Sequence, residues 1–108
     1  MYERSRNILD CHIAGFTYYD GFEVIDNLKP GTKVKLKSEH DNPHDPNAVS
    51  VYYKKTKLGY IPRAKNYDIS NLLFFGHRNI LEAKIISYNP EANSENLFRI
   101  AVKVKDMR

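Results

Sequence analysis

Two segments of this chain alternate apolar and polar residues, a period-two pattern that limits them to half-buried β-strands. From Thr32 to Ser38, Val34 and Leu36 alternate with three lysines. From Leu97 to Lys105, four large apolar side chains alternate with mostly basic ones. Runs of apolar, β-branched and aromatic residues predict four more strands, at Asn7 to Phe16, Ala48 to Tyr53, Leu58 to Ile61 and Asn79 to Tyr88. We therefore expect a mainly β chain.

Turn-forming and polar residues separate these strands. The segment from Glu39 to Asn47 (EHDNPHDPN) holds two prolines and four Asp or Asn residues, a composition that favours Asx turns and predicts a loop. A turn is expected at Tyr18 to Gly21, whereas the apolar spacing from Phe22 to Leu28 fits either a helical turn or an irregular chain. Polar residues predict a hairpin connection at Lys54 to Lys57 and a loop at Asn89 to Asn96.

The segment from Ala64 to Phe75 has apolar residues spaced for a helix, which Gly76 is expected to end at its C′ position. Five or six short strands with one helix near residues 64–75, and without a βαβ rhythm, predict an α+β, mainly β fold. A small OB-like antiparallel β-barrel suits a length of 108 residues. Because a chain of this length has room for one hydrophobic core, we expect residues 1–108 to form a single domain.

The positive charge of the chain is concentrated in its middle. The formal net charge is +4, yet Lys29 to Lys65 holds nine Lys or Arg residues against three acids, a local charge of +6. Such a balance permits an anionic partner without establishing one. Lys33, Lys35 and Lys37 could extend a positively charged track for such a partner, but lysines on a strand more often form a solvated face.

Cys11 is the only cysteine, which excludes an intramolecular disulfide and a multi-cysteine zinc site. Its apolar surroundings predict an inert buried thiol. A lone cysteine fits a reducing compartment, and the first residues lack the apolar core of a signal peptide. Since no run approaches the roughly 20 apolar residues that cross a bilayer, we expect a soluble, cytoplasmic protein with no membrane partner.

Three stretches carry a family resemblance, namely AGFTYYDG from Ala14 to Gly21, DNPHDPNAVSV from Asp41 to Val51, and LGYIPR from Leu58 to Arg63. Their order and spacing, followed by LL-x-x-G at Leu72 to Gly76, resemble the HIRAN family across nearly the whole chain. The resemblance implies an OB-like barrel that binds the 3′ end of single-stranded DNA, with no cofactor and no catalysis. Because such domains are best known appended to helicase-like ATPases, it also implies a role in DNA repair or processing, with a helicase or nuclease as partner.

The resemblance assigns seven DNA-binding residues, which are Tyr18, Tyr19, Asn42, His44, Asp45, Tyr60 and Arg63. It implies that Asp45 accepts a hydrogen bond from the 3′-hydroxyl, because an ionised carboxylate is only an acceptor and would repel a 3′-phosphate. Asn42 would bond the terminal sugar or a base edge. The chain departs from some family members at His44, where they have Tyr, and at Thr17, where they have Arg or Gln.

The other assigned residues would hold the strand next to its end. The resemblance implies that Tyr18 and Tyr19 stack the terminal bases, which needs little sequence preference. It places Arg63 where a cation faces the strand, so that Arg63 and Tyr60 could hold a phosphate and flank a base.

Plain structural roles explain the same residues. Asx turns alone account for Asn42 and Asp45 in a proline-bounded loop, and neighbouring aromatics such as Tyr18 and Tyr19 often belong to a core and its rim. If the Asp45 carboxylate is bonded to its own loop amides and the tyrosines are packed inside, the basis for end binding is lost.

Two further function classes stay open. A protein-interaction module would use the same aromatics to take a peptide from a repair or remodelling partner. A metal-dependent hydrolase would use the cluster from His40 to Asp45, joined by His12 or His77, although the two prolines prevent the helix in which such residues reach one ion. The sequence has no P-loop, nucleophile elbow or paired-carboxylate motif. We therefore expect a binding module and not an enzyme.

Overall fold

The fold is a six-stranded antiparallel sheet, seen in a computed structural model that describes residues 6–76, 81–93 and 96–104. Its strands are β1 (Arg6–His12), β2 (Lys33–Ser38), β3 (Val49–Tyr53), β4 (Thr56–Tyr60), β5 (Leu81–Tyr88) and β6 (Phe98–Val104). They lie side by side in the order β1-β6-β5-β2-β3-β4. The sheet curls into a half-barrel, which confirms the predicted mainly β, OB-like fold.

The core draws on all six strands. In β2, Val34 is buried while Lys33, Lys35 and Lys37 are exposed, as the alternation predicted. The largest fully buried side chains come from the strands and from the segments between them: Ile13, Phe16, Leu58, Ile61, Ile85, Phe98 and Ile100. The lysines of β2 therefore lie on the outer face of the sheet, where a ligand could meet them.

The turn expected at Tyr18 to Gly21 takes the form of two consecutive 3-10 segments, Phe16–Tyr18 and Asp20–Asn27. In the range left open, Phe22 to Leu28, the second segment forms helical turns that are interrupted by a kink at Val24 and end before Leu28. Packing explains this compact path, because a Cβ at Gly21 would lie 2.4 Å from the buried ring of Phe16.

The helix expected from Ala64 to Phe75 is divided. A 3-10 turn at Arg63–Lys65 precedes the α-helix α1 (Tyr67–Phe74), and Asn66 separates them. Asn66 is buried and its side chain bonds outside the helix, which fixes the chain at this joint. Gly76 ends the helix as predicted, with φ 81° and its N–H donating to the carbonyl of Leu73.

The connections follow the sequence pattern closely. Glu39 to Asn47 is a loop between β2 and β3, and the turn between β3 and β4 is reduced to Lys54 and Lys55, because β4 begins at Thr56. Three residues expected in strands lie outside the described residues, namely Asn79, Ile80 and Lys105. Within the described ranges, no helix has the length and apolar character needed to span a membrane.

The segment that begins at Ala14 is tied to the edge of β4. The N–H of Ala14 donates to the carbonyl of Tyr60 at 2.8 Å, and the N–H of Tyr60 donates to the carbonyl of Ala14 at 2.9 Å. This approach requires Gly59, whose φ is 153° and whose Cβ, if it had one, would lie 2.4 Å from the oxygen of Ala14. A side chain at position 59 would therefore push the segment away from β4.

We expect Gly59→Ala to lower the free energy of unfolding by about 2–4 kcal/mol, because it adds a steric collision to an unfavourable φ. Gly31→Ala is the matched control, since Gly31 also has a positive φ, 94°, but has nothing within 4 Å of an added Cβ. The control should cost only about 1 kcal/mol. Equal losses in urea unfolding would contradict the close approach.

We also expect Cys11 to be unreactive in the folded protein. It is 3% exposed, and burial raises the pKa of its thiol to about 11. Because the thiolate is the reacting species, labelling by an aromatic disulfide at pH 8 should be at least about a hundredfold slower in the native protein than in urea. Comparable rates in the two states would show that the thiol is accessible.

Candidate functional site

The loop from Glu39 to Asn47 is held in shape by side-chain bonds to its own backbone. Asn42 Oδ1 accepts the N–H of His44 at 2.8 Å and the N–H of Asp45 at 3.2 Å. Asp45 Oδ1 accepts the N–H of Asn47 at 2.9 Å. These are the bonds of Asx turns, so the turn-forming interpretation of Asn42 and Asp45 is correct for these oxygens.

The second oxygen of Asp45 faces a distant part of the chain. Oδ2 accepts a hydrogen bond from Asn66 Nδ2 at 2.9 Å and lies 3.5 Å from Arg63 Nε. An Nη of Arg63 also donates to the carbonyl of His44. Burial opposes ionisation of Asp45, but the bonds from Asn47, Asn66 and Arg63 outweigh it and hold the pKa of Asp45 below its usual range. Asp45 and Arg63 therefore form one charged pair at the end of the loop.

A second group of side chains, which we call the ring cluster, consists of Tyr19, Glu39, Lys57 and Tyr60. The rings of Tyr19 and Tyr60 meet edge to face, with 5.7 Å between their centroids. The ammonium of Lys57 lies 4.8 Å from the Tyr19 centroid and 4.4 Å from the Tyr60 centroid, within cation–π range. Lys57 also lies 3.2 Å from Glu39 Oε2, and the hydroxyl of Tyr60 donates to Glu39 Oε1 at 2.9 Å.

The ring cluster contains a second ion pair, Lys57 with Glu39, in partly buried surroundings. The side chains of Lys57 and Glu39 are 23% and 20% exposed. Burial disfavours both charges, but the hydrogen bonds to Tyr60 and between the pair outweigh it, so the pKa of Glu39 is lowered and that of Lys57 is raised. Burial also raises the pKa of Tyr60. At neutral pH Glu39 is therefore a carboxylate, Lys57 an ammonium and Tyr60 a neutral phenol.

Asn42 joins the ring cluster to the charged pair. Its Nδ2 donates to Glu39 Oε1 at 3.2 Å, while its Oδ1 accepts the loop amides. Sequence reasoning missed three members of this network: Glu39, Lys57 and Asn66. Each of the three has a partner 18 to 21 residues away along the chain. A β-bulge in the pairing of β3 with β4 also brings Lys57 to the same face as Tyr60, which a plain alternation does not predict.

Tyr18 and His44 lie outside this network of side chains. Tyr18 is 80% exposed, and His44 is exposed and joins the network through its backbone. Tyr19 is half-buried. Two conditions together would remove the basis for end binding: an Asp45 carboxylate bonded to its own loop amides, and tyrosines packed inside. The first is met in part, because Asp45 accepts a hydrogen bond from the N–H of Asn47. The second is not met, because the tyrosines are not packed inside.

The histidine considered as a metal ligand is used differently. His40 Nδ1 lies 2.8 Å from Ser38 Oγ, and its ring meets Phe74 edge to face at 4.9 Å between centroids. Across residues 6–76, 81–93 and 96–104, no group of three or more His, Cys, Asp or Glu residues is placed to hold a metal ion. His77 lies outside the described residues.

The ring cluster predicts a pH-dependent contribution to stability. Because the pKa of Glu39 is lower in the folded than in the unfolded chain, the carboxylate stabilises the fold above about pH 4.5, and this is lost as the pH falls through the folded pKa. Glu39→Gln should therefore lower the free energy of unfolding by about 1–2 kcal/mol at pH 7 and by much less at pH 3. The exposed Glu23→Gln is the control and should change little at either pH. A Glu39→Gln deficit that stays constant with pH would contradict the network.

Comparison with known proteins identifies the fold and the family. The family model for the HIRAN domain matches residues 7–105. A protein from Lactobacillus plantarum superposes with a TM-score of 0.78 at 24% identity, over 94% of this chain and 96% of that one. The HIRAN domain of human HLTF superposes with a TM-score of 0.64 at 19% identity, over 94% of this chain and 77% of that one. No curated protein has a sequence that matches this chain.

These results differ in what they establish. The two structures are less than 25% identical to this chain, so they support the shared fold alone. The family model, in contrast, covers nearly the whole sequence, including all three stretches on which the resemblance rested. HIRAN domains are nucleic-acid-binding modules, and this chain belongs to the HIRAN domain family.

Proposed function

We propose that this protein binds the free 3′-hydroxyl end of single-stranded DNA, as a binding module without catalysis. The observation that supports this best is the charged pair of Asp45 and Arg63, 3.5 Å apart where the loop from Glu39 to Asn47 ends. A hydroxyl end needs a hydrogen-bond acceptor, and the phosphate next to it needs a cation. The charged pair offers both groups side by side.

Asp45 keeps room for a hydroxyl among its acceptor sites. A carboxylate offers about four lone-pair sites, and three of them are taken by Asn47, Asn66 and Arg63. These bonds hold the carboxylate in one orientation, while 18% of its side chain stays exposed. The lowered pKa keeps Asp45 an acceptor at neutral pH, so a 3′-phosphate would meet a negative charge.

Arg63 supplies the cation for the adjoining phosphate. Its side chain is 71% exposed even though it contacts Asp45 and the carbonyl of His44. A guanidinium has five N–H donors, so these two contacts leave donors for a backbone phosphate. The contact with Asp45 limits the directions that the guanidinium can take, which favours one path for the strand.

The aromatic residues provide surfaces for bases near the end. Tyr18 is 80% exposed, and stacking of a base on such a ring contributes roughly 1–3 kcal/mol with little sequence preference. Tyr19 and Tyr60 are fixed against each other and against Lys57, so they form a wall of defined shape. The proposed site therefore reads the chemistry of an end and not a sequence.

Free 3′ ends arise when DNA is cut, unwound or resected. A module that holds such ends would serve DNA repair or processing, with a helicase or nuclease as the partner that produces or consumes them. We include this setting in the proposal because of the helicase-like ATPases to which the family resemblance points.

The test compares two oligonucleotides that differ only at the 3′ end, one with a hydroxyl and one with a phosphate. We expect the unmodified protein to bind the hydroxyl form at least about tenfold more tightly in fluorescence anisotropy, the effect of one hydrogen bond to a charged group. Asp45→Asn should remove this preference, because it replaces the carboxylate by a neutral amide.

Asp41→Asn is the matched control. Asp41 belongs to the same loop, is exposed and carries the same charge, so it changes the local potential without touching the proposed acceptor. This variant should keep the preference for the hydroxyl. Thermal melts of both variants exclude loss of the fold as the cause, which matters because Asp45 also holds Asn47 and Asn66. Equal binding of the two oligonucleotides by the unmodified protein would overturn the proposal.

A further inference from the structure

Some of the basic side chains of this molecule lie next to acids. Among the described residues, five lysines and arginines lie within 4 Å of a carboxylate. The pairs are Lys33 and Lys84 with Glu82, Lys57 with Glu39, Arg63 with Asp45, and Arg99 with Asp10. Seven described lysines have no such partner, namely Lys29, Lys35, Lys37, Lys54, Lys55, Lys65 and Lys103, and four of them share one part of the surface.

That part is a groove of about 550 Å³ lined by residues of β2, of β3 and the turn after it, and of α1. Four lysines line it, namely Lys35, Lys37, Lys54 and Lys55, together with the apolar side chains of Leu36 and Leu73. None of the four lysines forms an ion pair with an acid in the part of the chain that the structure describes. We call this surface the lysine groove.

The lysine groove continues into the ring cluster across the outer face of the sheet. Residues directly opposite each other on antiparallel strands point to the same face. Two such rows cross β2, β3 and β4, and they are Lys35 with Tyr52 and Lys57, and Lys37 with Ser50 and Tyr60. Ser50 is fully buried, so the accessible connection is the row through the half-buried Tyr52. Because neighbouring strands lie about 4.8 Å apart, the lysines of β2 are roughly 10 Å from the ring cluster.

Aromatic rings lie beside the lysines. Tyr52 and His40 line the groove, and the ring of His40 meets Phe74, which is 60% exposed. Phe75, the next residue, is 69% exposed. Lysines interleaved with accessible rings are typical of surfaces that track a single strand, because phosphates pair with the cations and bases stack on the rings.

We infer that the lysine groove binds the sugar–phosphate backbone of the strand whose 3′ end is held at Asp45. The inference rests on the proposed function for the identity of that strand, and it extends the contact from the last nucleotides to those that precede them. His40 lines the groove and Glu39 belongs to the ring cluster, so adjacent residues of one loop contact both surfaces. A strand that leaves the end site along the outer face of the sheet therefore meets the four lysines next.

The test compares two double variants that each remove two positive charges. Lys35→Gln with Lys55→Gln changes the lysine groove, and Lys29→Gln with Lys103→Gln is the control, since neither of these lysines lines the groove. Binding of 20-residue oligothymidine, with a 3′-hydroxyl and with a 3′-phosphate, is measured by anisotropy between 50 and 300 mM salt. Three-residue oligothymidine with a 3′-hydroxyl probes the end site alone.

For the 20-residue strand, the groove variant should lose about tenfold in affinity at the lowest salt. Its plot of log affinity against log salt should be shallower by about 1.4, the effect of two lost phosphate contacts on a single strand. The control variant should keep both values, and the three-residue strand should bind equally to all proteins. Equal loss in groove and control variants would overturn the inference, as would a 20-residue polyglutamate that competes as well as the DNA.

The same measurements separate the two proposals. A missing preference for the 3′-hydroxyl in the unmodified protein contradicts the proposed end site, whatever the lysines do. If the groove variant still prefers the 3′-hydroxyl and also keeps its full affinity and salt dependence for the 20-residue strand, the role of the lysine groove is contradicted and the end site is not. If a double variant does not fold, the single substitutions Lys35→Gln and Lys55→Gln carry the same comparison, each with half the expected change in slope.

Discussion

Two backbone hydrogen bonds between Ala14 and Tyr60 hold the segment that leads to Tyr19 against β4, the strand that carries Lys57 and Tyr60. β4 is the last strand in the sheet order, so among the described strands one of its edges has no neighbour, and the segment at Ala14 covers part of that edge. The contact sets Tyr19 beside Tyr60, although these residues are far apart in the sequence. A glycine before Tyr60 is the condition for this contact, because any larger residue would meet the carbonyl of Ala14.

The rest of the site is built by side chains that replace regular secondary structure. The loop from Glu39 to Asn47 forms few of the backbone hydrogen bonds of a sheet. The side chains of Asn42 and Asp45 accept its N–H groups instead, and the Glu39 carboxylate accepts hydrogen bonds from Asn42 and Tyr60. Among the described residues, every buried side-chain nitrogen and oxygen has a hydrogen-bond partner. A loop that is ordered before a ligand arrives loses little entropy on binding, so its acceptors act with most of their intrinsic strength.

The sequence predicted the framework of this site better than its contacts. Alternation located β2 and β6, and proline with Asx residues located the loop, because both signals depend on neighbours along the chain. Six of the seven assigned residues belong to the network or contribute backbone to it, whereas Tyr18 stands apart. Asn66 could not be found in this way, since its role depends on a carboxylate 21 residues away. Residues this far apart in the sequence, such as Asn66 and Asp45, come together only when the chain folds.

The position of Lys57 over two aromatic rings limits which surfaces a base can use. Its ammonium lies 4.8 Å from the centre of Tyr19 and donates to the hydroxyl of Tyr60 at 2.6 Å, so a cation already lies beside both rings. A base can stack there only after that ammonium leaves and Glu39 loses its counter-ion. The exposed ring of Tyr18 carries no such competitor among the described residues. Under the proposed function, the terminal base would therefore stack on Tyr18, with Tyr19, Tyr60 and Lys57 behind it.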